Sequence, residues 1–365
     1  MHVLITSDTV GGVWTYTQEL VTGLVQAGHR VTLVSFGKIP QPHQTAWMQT
    51  LDGLDYRPTE YRLEWMEVAE RDIEESRRYL ELLVEEVRPD VLHFSQYCYG
   101  DIAADVPRIV VAHSDVVSWW VAVHGKEPDD TPWIRRYRNH VTRGLRAADV
   151  VVAPSRWMLD AVKRHYVSPA QGKVINNGRT SELFERRKKE DFVLSVGRIW
   201  DQAKHVSLLL SAETSARVCI VGWEQEPGRE SKETLSIARP NVELLGQKSQ
   251  DELQALFADA AIYAATSRYE PFGLAPLEAA LSGCALVMSD NPVFHELWGD
   301  AAVYFRKDDA SDLARAIADL RSKPHMRDDH AERCYKRACE QFTASRMVEQ
   351  YEAVYEEVCS RARVA

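Results

Sequence analysis

The chain has 365 residues, of which 45% are hydrophobic and 27% are charged, and its formal net charge at pH 7 is −10. The composition is that of a globular protein, and the length exceeds what one ordinary hydrophobic core holds, so we expect two domains. The acidic balance lacks the basic footprint of nucleic-acid-binding proteins and argues against a nucleic-acid partner.

Cysteine usage and the absence of targeting segments predict a cytoplasmic protein. The six cysteines are scattered, with no C-x-x-C pair and no histidines at zinc-ligand spacing, so we expect reduced thiols. The N-terminus has no basic segment and few apolar residues, unlike a signal peptide. No apolar run approaches the roughly 18–20 residues that a membrane-spanning helix needs.

In the first half of the chain, short apolar runs rich in β-branched residues alternate with longer helical patterns. The runs lie at 3–7, 31–36, 90–95, 109–114, 149–155 and 173–176. The helical patterns lie at about 13–28, 65–87, 133–147 and 156–165. Continuous apolar strands separated by helices are typical of a parallel sheet covered on both faces. Gly28 stands where a C′ glycine would end the first helix.

The second half repeats this alternation after a polar, charged stretch at 178–191, which we interpret as a linker. Its strand patterns lie at 192–197, 217–222, 241–246, 261–267, 285–290 and 301–305. Its helical patterns lie at about 204–213, 250–258, 274–282, 310–322, 325–341 and 345–361. The sequence therefore predicts an α/β protein with two doubly wound domains, 1–178 and 190–344. Ligands of such sheets bind beyond the carboxyl ends of the strands, here in a cleft between the domains.

A pair of glycines, Gly11 and Gly12, follows the first strand. They would let the backbone turn tightly and approach a ligand before the helix begins. A simple βα turn is the alternative. The chain has neither a G-x-G-x-x-G fingerprint nor a G-x-x-x-x-G-K-[ST] loop. This argues against an NAD-dependent oxidoreductase and a P-loop protein.

Two cations follow the first strand of the second half. Arg198 comes directly after strand and glycine, and Lys204 stands six residues later, near the predicted start of a helix. A lysine at that position is unfavourable against the helix dipole. A strongly anionic ligand would explain both cations, and a diphosphate suits an arginine fork and a lysine point charge. Solvated surface charges are the alternative.

The segment EPFGLAPLE, residues 270–278, places two glutamates around a turn and a helix start. Gly273 and Leu274 begin the helix, whose first N–H groups can bind a phosphate. Glu278 could accept hydrogen bonds from vicinal hydroxyls such as those of a ribose, and Glu270 would face whatever lies beyond the phosphates. An acid near a helix start can also merely answer the dipole. The two acceptors around an anion site predict a nucleotide sugar.

On these residues nearly the whole chain resembles glycosyltransferases of the GT-B fold, which have two Rossmann-like domains with an interdomain cleft. The second half resembles the large retaining family 4 of these enzymes. The resemblance is carried by Gly11-Gly12, His113, Arg198 with Lys204, and residues 270–278. The chain departs from the family pattern at His205, where glycine is usual, and at 283–286, where Gly-x-Pro-Val is usual.

The resemblance implies roles for these residues. Arg198 and Lys204 would bind the diphosphate leaving group, and Glu278 the ribose. Glu270 and the amides near Phe272, Gly273 and Leu274 would hold the donor sugar and its phosphate, and Gly11 and Gly12 would also line the donor site. His113 would lie on the donor sugar from the first domain, which would make His113, Arg198, Lys204 and Glu270 the catalytic set. Asp115, Trp119 and Trp120 are acceptor-side candidates, with core packing the alternative for the tryptophans.

By the same resemblance the donor is a nucleoside diphosphate sugar, and family frequency favours UDP-glucose or a related UDP-hexose. The acceptor would be a glycan, a lipid-linked molecule or a small molecule, and the reaction would retain the anomeric configuration. We expect no cofactor and no metal, because D-x-D is absent and Asp129-Asp130 and Asp308-Asp309 read as solvated loop residues. Alternatives are a sugar phosphorylase, a nucleotide-sugar epimerase and a non-catalytic sugar-nucleotide-binding protein.

Two further features concern the first domain. The stretch 133–146 carries five arginines and no acid, namely Arg135, Arg136, Arg138, Arg143 and Arg146. A solvated helix is one reading, and peripheral contact with an anionic inner membrane face is the other. In enzymes of this fold the last helix crosses back onto the first domain, which we expect here for 345–365.

Overall fold

The computed structural model describes residues 1–9, 11–222 and 239–363. The chain divides into two compact units, each built around one parallel sheet. The first unit comprises Met1–Val121, Lys126–Gly178 and Ala344–Ala365, and the second comprises Ala122–Gly125 and Arg179–Thr343. This confirms the predicted architecture of two Rossmann-like halves.

The first unit contains a seven-stranded sheet of order β3-β2-β1-β4-β5-β6-β7. Its strands are β1 (His2–Asp8), β2 (Arg30–Phe36), β3 (Leu54–Pro58), β4 (Val91–Phe94), β5 (Arg108–Val111), β6 (Val150–Ala153) and β7 (Gly172–Val174). Every neighbouring pair is parallel. The strand order reverses between β1 and β4, which makes this the switch point where such sheets bind ligands.

Helices cover both faces of this sheet, so alternate residues of each strand are buried on opposite sides. Along β1, Leu4 belongs to one apolar cluster and Val3 and Ile5 to the other. The helices are α1 (Gly12–Gln26), α2 (Pro42–Thr45), α3 (Glu70–Val87), α4 (Val116–His124), α5 (Pro132–Ala147) and α6 (Arg156–His165). The helix predicted from residue 65 begins at Glu70, and β3 and α4 were not predicted.

The second unit contains a six-stranded parallel sheet of order β10-β9-β8-β11-β12-β13. Its strands are β8 (Glu190–Val196), β9 (Arg217–Val221), β10 (Val242–Leu244), β11 (Ala260–Ala265), β12 (Ala285–Ser289) and β13 (Val303–Phe305). Here the strand order reverses between β8 and β11. The loops that leave these two adjacent strands therefore meet at the carboxyl edge of the sheet.

The helices of the second unit are α7 (Ser207–Ser211), α8 (Gln250–Asp259), α9 (Leu274–Leu281), α10 (Pro292–Trp298), α11 (Ala310–Ser322) and α12 (Pro324–Gln341). The prediction of a helix over 204–213 was wrong at both ends, since only α7 forms there. The α10 helix was not predicted, although Asn291 caps it and Pro292 opens it. The last helix, α13 (Ala344–Ala362), returns to the first unit, where Met347, Val348 and Tyr351 join the cluster that contains α1.

Candidate functional site

The candidate site lies at the switch point of the second sheet. The loop after β8 carries Arg198 and Lys204, and the loop after β11 carries Glu270. Hydrogen bonds to backbone carbonyls of the first loop hold the two loops together. The Arg268 N–H donates to the Ala203 carbonyl at 2.8 Å, and the Thr266 hydroxyl donates to the Lys204 carbonyl at 2.9 Å. Lys204 and Glu270, which are 66 positions apart, thus lie at one edge of the sheet, because the carboxyl ends of parallel strands meet there.

Lys204 and Glu270 form the centre of the site. The Lys204 ammonium donates to Glu270 Oε2 at 2.5 Å, and the side chains are 27% and 13% exposed. The Ser267 hydroxyl donates to the same oxygen at 3.3 Å. The lysine is therefore held by a carboxylate in a partly desolvated position, where its charge is screened less than at the open surface.

Arg198 lies at the solvent side of the same loop. Its Nη2 donates to Asp201 Oδ2 at 2.6 Å, and its guanidinium lies 5.2 Å from the centre of the Trp200 ring. Asp201 is buried and also accepts from the Ala203 N–H at 2.9 Å. The sequence reading missed Asp201, although an acid three residues after an arginine was a visible signal.

The α9 helix presents its N-terminus at this edge. Gly273, the N-cap residue, has φ 96°, and among the described residues no side chain caps the helix. A Cβ at Gly273 would lie 3.2 Å from Cγ of both Glu270 and Pro276. Glycine is thus required by backbone conformation and by space. The first amides of α9 carry the positive end of the helix dipole and can meet an anion.

A small recess that is partly open to solvent lies between these groups. Its lining includes Lys204, Thr266, Ser267, Glu270, Leu274 and Pro276. Tyr263 also lines the recess, and burial and the charge of Glu270 raise the pKa of its hydroxyl. The recess therefore combines a cation, a carboxylate, hydroxyls and a helix N-terminus.

Glu278 lies one turn inside α9 and contacts Arg179. Arg179 Nε is 3.0 Å from Glu278 Oε1, and the two side chains are 2% and 16% exposed. Arg179 comes from the stretch predicted as a linker, so that interpretation was wrong at this residue. The Phe272 ring is buried and packs edge-on against Phe342, with ring centres 5.5 Å apart. Only the backbone of Phe272 can then serve a ligand in the way predicted.

His205 stands beside this site, at the position where the resembled family usually has glycine. Its backbone is left-handed, with φ 47°, which explains the usual glycine. The imidazole Nδ1 is 3.0 Å from Asp308 Oδ1, and Arg268 donates to the same oxygen at 2.7 Å. Asp309 caps α11 by accepting from the Asp312 N–H at 2.9 Å. Asp129, Asp130 and Asp308 are exposed, as the prediction of solvated aspartates required, whereas Asp309 is half-buried at the start of α11.

The predicted residues of the first unit lie around its own switch point. Gly11 has φ 73° and is the N-cap residue of α1, which Gly12 begins. His113 follows β5 and lies 3.3 Å, Nε2 to Oγ, from Ser95. Burial lowers the pKa of His113 to about 3, so that its imidazole is neutral at physiological pH. It can offer a hydrogen bond to a ligand but no charge.

A buried network adjoins His113. The Tyr16 ring packs edge-on against His113 with ring centres 4.5 Å apart, and its hydroxyl lies 3.2 Å from His93 Nε2. His93 Nδ1 lies 2.7 Å from the Tyr355 hydroxyl of α13. Burial and the neighbouring His113 lower the pKa of His93 to about 3. The last helix thereby contributes a polar group to the layer beneath His113.

The acceptor-side candidates differ in their contacts. Asp115 is buried, and its Oδ1 accepts from the Ser118 N–H at 2.8 Å and from the Tyr166 hydroxyl at 2.7 Å. These are the contacts of a structural carboxylate, and an acceptor role for Asp115 stays a prediction. Trp119 and Trp120 are half-buried on α4 with ring centres 6.2 Å apart.

Four of the five arginines of α5 have acidic partners within the first unit. The pairs are Arg135–Asp130, Arg136–Glu70, Arg138–Glu127 and Arg143–Asp101. These carboxylates offset most of the positive charge that the sequence displays. Contact with an anionic membrane therefore stays a prediction that the pairing disfavours.

Within residues 1–9, 11–222 and 239–363, no three His, Cys, Asp or Glu side chains group as metal ligands. No helix in the same described part of the chain combines the length and hydropathy that crossing a membrane requires.

Two family profiles match the chain. Glycosyltransferase Family 4 matches residues 10–182, and Glycosyl transferases group 1 matches residues 179–340. The chain is a group 1 glycosyltransferase with the GT-B fold. The predicted resemblance to family 4 is thereby confirmed, and so is the fold.

Curated relatives carry several activities. The O-antigen chain mannosyltransferase RfbU of Salmonella typhimurium is 26% identical over 156 residues, which are 41% of this chain and 44% of that protein. The alpha-maltose-1-phosphate synthase of Mycolicibacterium smegmatis is 24% identical over 303 residues, 73% of this chain and 76% of that protein. The glycosyltransferase thus spans less than half of the first relative and about three quarters of the second.

Solved structures share the fold. Sucrose-phosphate synthase from Thermosynechococcus elongatus has a TM-score of 0.78 at 16% identity, covering 99% of this chain and 100% of that one. HepE from Anabaena, solved in complex with UDP and glucose, has a TM-score of 0.74 at 14% identity, covering 98% and 100%.

Proposed function

We propose that this glycosyltransferase moves a hexosyl unit from a nucleoside diphosphate sugar to an acceptor hydroxyl with retention of configuration. The observation that carries the proposal is the meeting of Lys204, Glu270 and the N-terminus of α9 around one recess. A diphosphate matches the lysine and the helix amides, and a sugar beyond it matches the carboxylate of Glu270. Arg198, at the solvent side, would add a second cation.

The chemistry asked of these groups is electrostatic. As the glycosidic bond breaks, negative charge grows on the diphosphate and positive charge grows on the sugar ring. Lys204 and the amides of α9 would stabilise the former, and preorganised groups of this kind lower the barrier because they need not reorganise. Glu270 holds the Lys204 ammonium at 2.5 Å and keeps it in place before the donor arrives.

The remaining specifics rest on resemblance. The HepE complexes with UDP and with UDP-glucose support UDP-glucose or a related UDP-hexose as donor, whereas three relatives are mannosyltransferases. We propose a glycan, lipid-linked or small-molecule acceptor. The neutral imidazole of His113 would donate or accept a hydrogen bond at the donor sugar. The proposed reaction needs no metal, because Lys204, Arg198 and the helix N-terminus supply the positive charge at the diphosphate.

Calorimetric titration with UDP, GDP, ADP and CDP tests the donor class. We expect micromolar binding of one nucleotide in the wild type and its loss in Lys204→Ala. The matched control is Lys336→Ala on α12, an exposed lysine whose partner is Glu332 at 3.7 Å. Failure of all four nucleotides to bind would overturn the proposal.

Product analysis separates the activity from its relatives on the same scaffold. Incubation with UDP-glucose and inorganic phosphate, without another acceptor, would form glucose 1-phosphate only in a phosphorylase. Epimerised donor without an acceptor would indicate an epimerase. Binding without turnover under any acceptor mixture would indicate a sugar-nucleotide-binding protein.

A further inference from the structure

Glu278 has a buried cationic partner, Arg179, to which the proposed function gives no role. Arg179 is 2% exposed, and its Nε lies 3.0 Å from Glu278 Oε1. Arginine is almost never fully buried unless it is paired. Removing one partner of such a pair leaves an uncompensated buried charge. The orientation of the Glu278 carboxylate is therefore tied to Arg179.

Arg179 is itself held at a fixed place in the second unit. Its N–H donates to the Phe342 carbonyl at 3.0 Å, and it forms an isolated parallel bridge with Thr343. Its guanidinium lies 5.3 Å from the centre of the Phe184 ring. Backbone and side chain are thus both anchored, so the guanidinium can act as a rigid support. Arginine's planar fork suits this role better than a flexible lysine ammonium.

Phe342, which accepts the hydrogen bond from Arg179, also contacts the first part of segment 270–278. The Phe342 ring packs at 90° against Phe272, with ring centres 5.5 Å apart. Residues Arg179 and Phe342, joined by a hydrogen bond, therefore contact both the turn and the helix of segment 270–278. One support fixes the two parts of the segment relative to each other.

We infer that Arg179 is a positioning residue that orients Glu278 toward the ribose hydroxyls and so sets the preference of the site for ribonucleotides. This inference rests on the proposed function, because it takes Glu278 as the ribose acceptor. The ion pair with Arg179 at Oε1 restricts the rotation of the Glu278 carboxylate and so limits the directions in which it can accept a hydrogen bond. A carboxylate free to rotate would discriminate less between a ribose and a sugar that lacks the 2′ and 3′ hydroxyls.

The test compares nucleotides with and without ribose hydroxyls, using the full chain. Calorimetric titrations use UDP, GDP and their 2′,3′-dideoxy counterparts. We expect the wild type to bind the ribonucleotide about 10- to 100-fold more tightly, as hydrogen bonds to a charged group allow. Glu278→Gln and Arg179→Gln should each reduce that ratio to within about threefold, and Arg179→Lys should give an intermediate ratio.

Two further variants keep the result interpretable. Arg186→Gln is the matched control, since Arg186 pairs with Glu332 at 2.7 Å and lies on the Tyr335 ring, and its ratio should equal that of the wild type. The double variant Arg179→Gln/Glu278→Gln removes both charges together and so avoids a lone buried charge. If Arg179 acts through Glu278, the double variant should show the same ratio as Glu278→Gln alone.

The outcomes separate this inference from the proposed function. If Arg179→Gln weakens ribo- and dideoxynucleotides equally, while Glu278→Gln loses the ratio, Arg179 is only structural and the proposed function stands. If neither Glu278→Gln nor Arg179→Gln changes the ratio, Glu278 is not the ribose acceptor, and the inference fails even where Lys204→Ala abolishes binding. If the wild type binds no nucleotide, both proposals fail together.

Discussion

At the switch point of the first sheet two histidines are neutral, whereas at that of the second a lysine and a glutamate form an ion pair. The first edge holds Tyr16, His93 and His113. Burial lowers the pKa of each of the two histidines to about 3. The second edge holds Lys204 and Glu270 as an ion pair beside a helix N-terminus. Two sheets of the same type thus carry different chemistry: β4 and α1 supply His93 and Tyr16 at the first edge, whereas loops supply Lys204 and Glu270 at the second.

The proposed function gives the two edges different tasks. The charges at the second edge would face the anionic leaving group, while the neutral imidazole of His113 at the first edge would meet a hydroxyl of the sugar. The following predictions test the contrast, beginning with the largest expected effect.

The first prediction concerns the charged edge. Lys204→Ala should lower kcat by roughly 10²–10³, or about 2.7–4 kcal/mol, because the variant lacks a preoriented cation at the developing charge. Initial rates of glycosyl transfer over a range of donor concentrations separate this effect on kcat from the weaker donor binding that the variant should also show. Lys336→Ala should retain full activity, since exposed ion pairs contribute little. Unchanged turnover in Lys204→Ala would contradict the assignment of the charged edge.

The second prediction concerns the neutral edge. His93 keeps a pKa near 3 in the folded protein and returns to about 6.5 on unfolding. Between these values the unfolded chain binds a proton that the native imidazole does not, so stability falls as pH decreases. Each such histidine contributes a slope of up to about 1.4 kcal/mol per pH unit. Urea unfolding between pH 6.5 and 4 should therefore give a smaller slope in His93→Gln.

Tyr355→Phe is the matched control for this slope. It removes the partner of His93 Nδ1 but keeps the imidazole, so stability should fall by about 1 kcal/mol with the slope retained. Equal slopes in the wild type and His93→Gln would show that His93 does not cause the acid sensitivity.

The third prediction concerns the start of α9. Gly273→Ala would place a Cβ within 3.2 Å of Glu270 and Pro276 at a left-handed position. We expect a loss of about 1–2 kcal/mol in unfolding free energy and about tenfold weaker UDP binding, because the amides of the helix start shift. Gly28→Ala is the control, since Gly28 has φ 87° with open space around it at the end of α1. It should lose stability without losing affinity.

The smallest effect is expected from removal of metal ions. Because Lys204, Arg198 and the helix N-terminus supply positive charge, transfer should stay within about twofold in EDTA. A complete loss that magnesium restores would show that the charged edge is insufficient on its own.

The sequence allowed the fold to be predicted where buried strands and capped helices dominate. The α9 helix and segment 270–278 were found because glycine, proline and the glutamates have local meaning. The β3 strand was missed because Asp55, Arg57 and Pro58 make it polar, as an edge strand of half-buried residues can be. A local sequence pattern therefore predicts a strand or helix only when its residues are typical of that kind of secondary structure.

The contacts between distant residues could not be predicted. Arg179 and Glu278 are 99 positions apart, and nothing near Arg179 in the sequence distinguishes it from the charged residues that follow. The neutral state of His113 likewise depends on burial beside Tyr16, which lies on another element. Identities of candidate residues were therefore available from sequence, whereas their charge states and supports were not.

The bridge between Arg179 and Thr343 also bears on engineering. These residues are the first and last of the long segment of the second unit, so that segment enters and leaves at one place. Segments whose ends meet tolerate transplantation and circular permutation. Residues 179–343 can accordingly be treated as an exchangeable cassette for chimeras with relatives of the same fold.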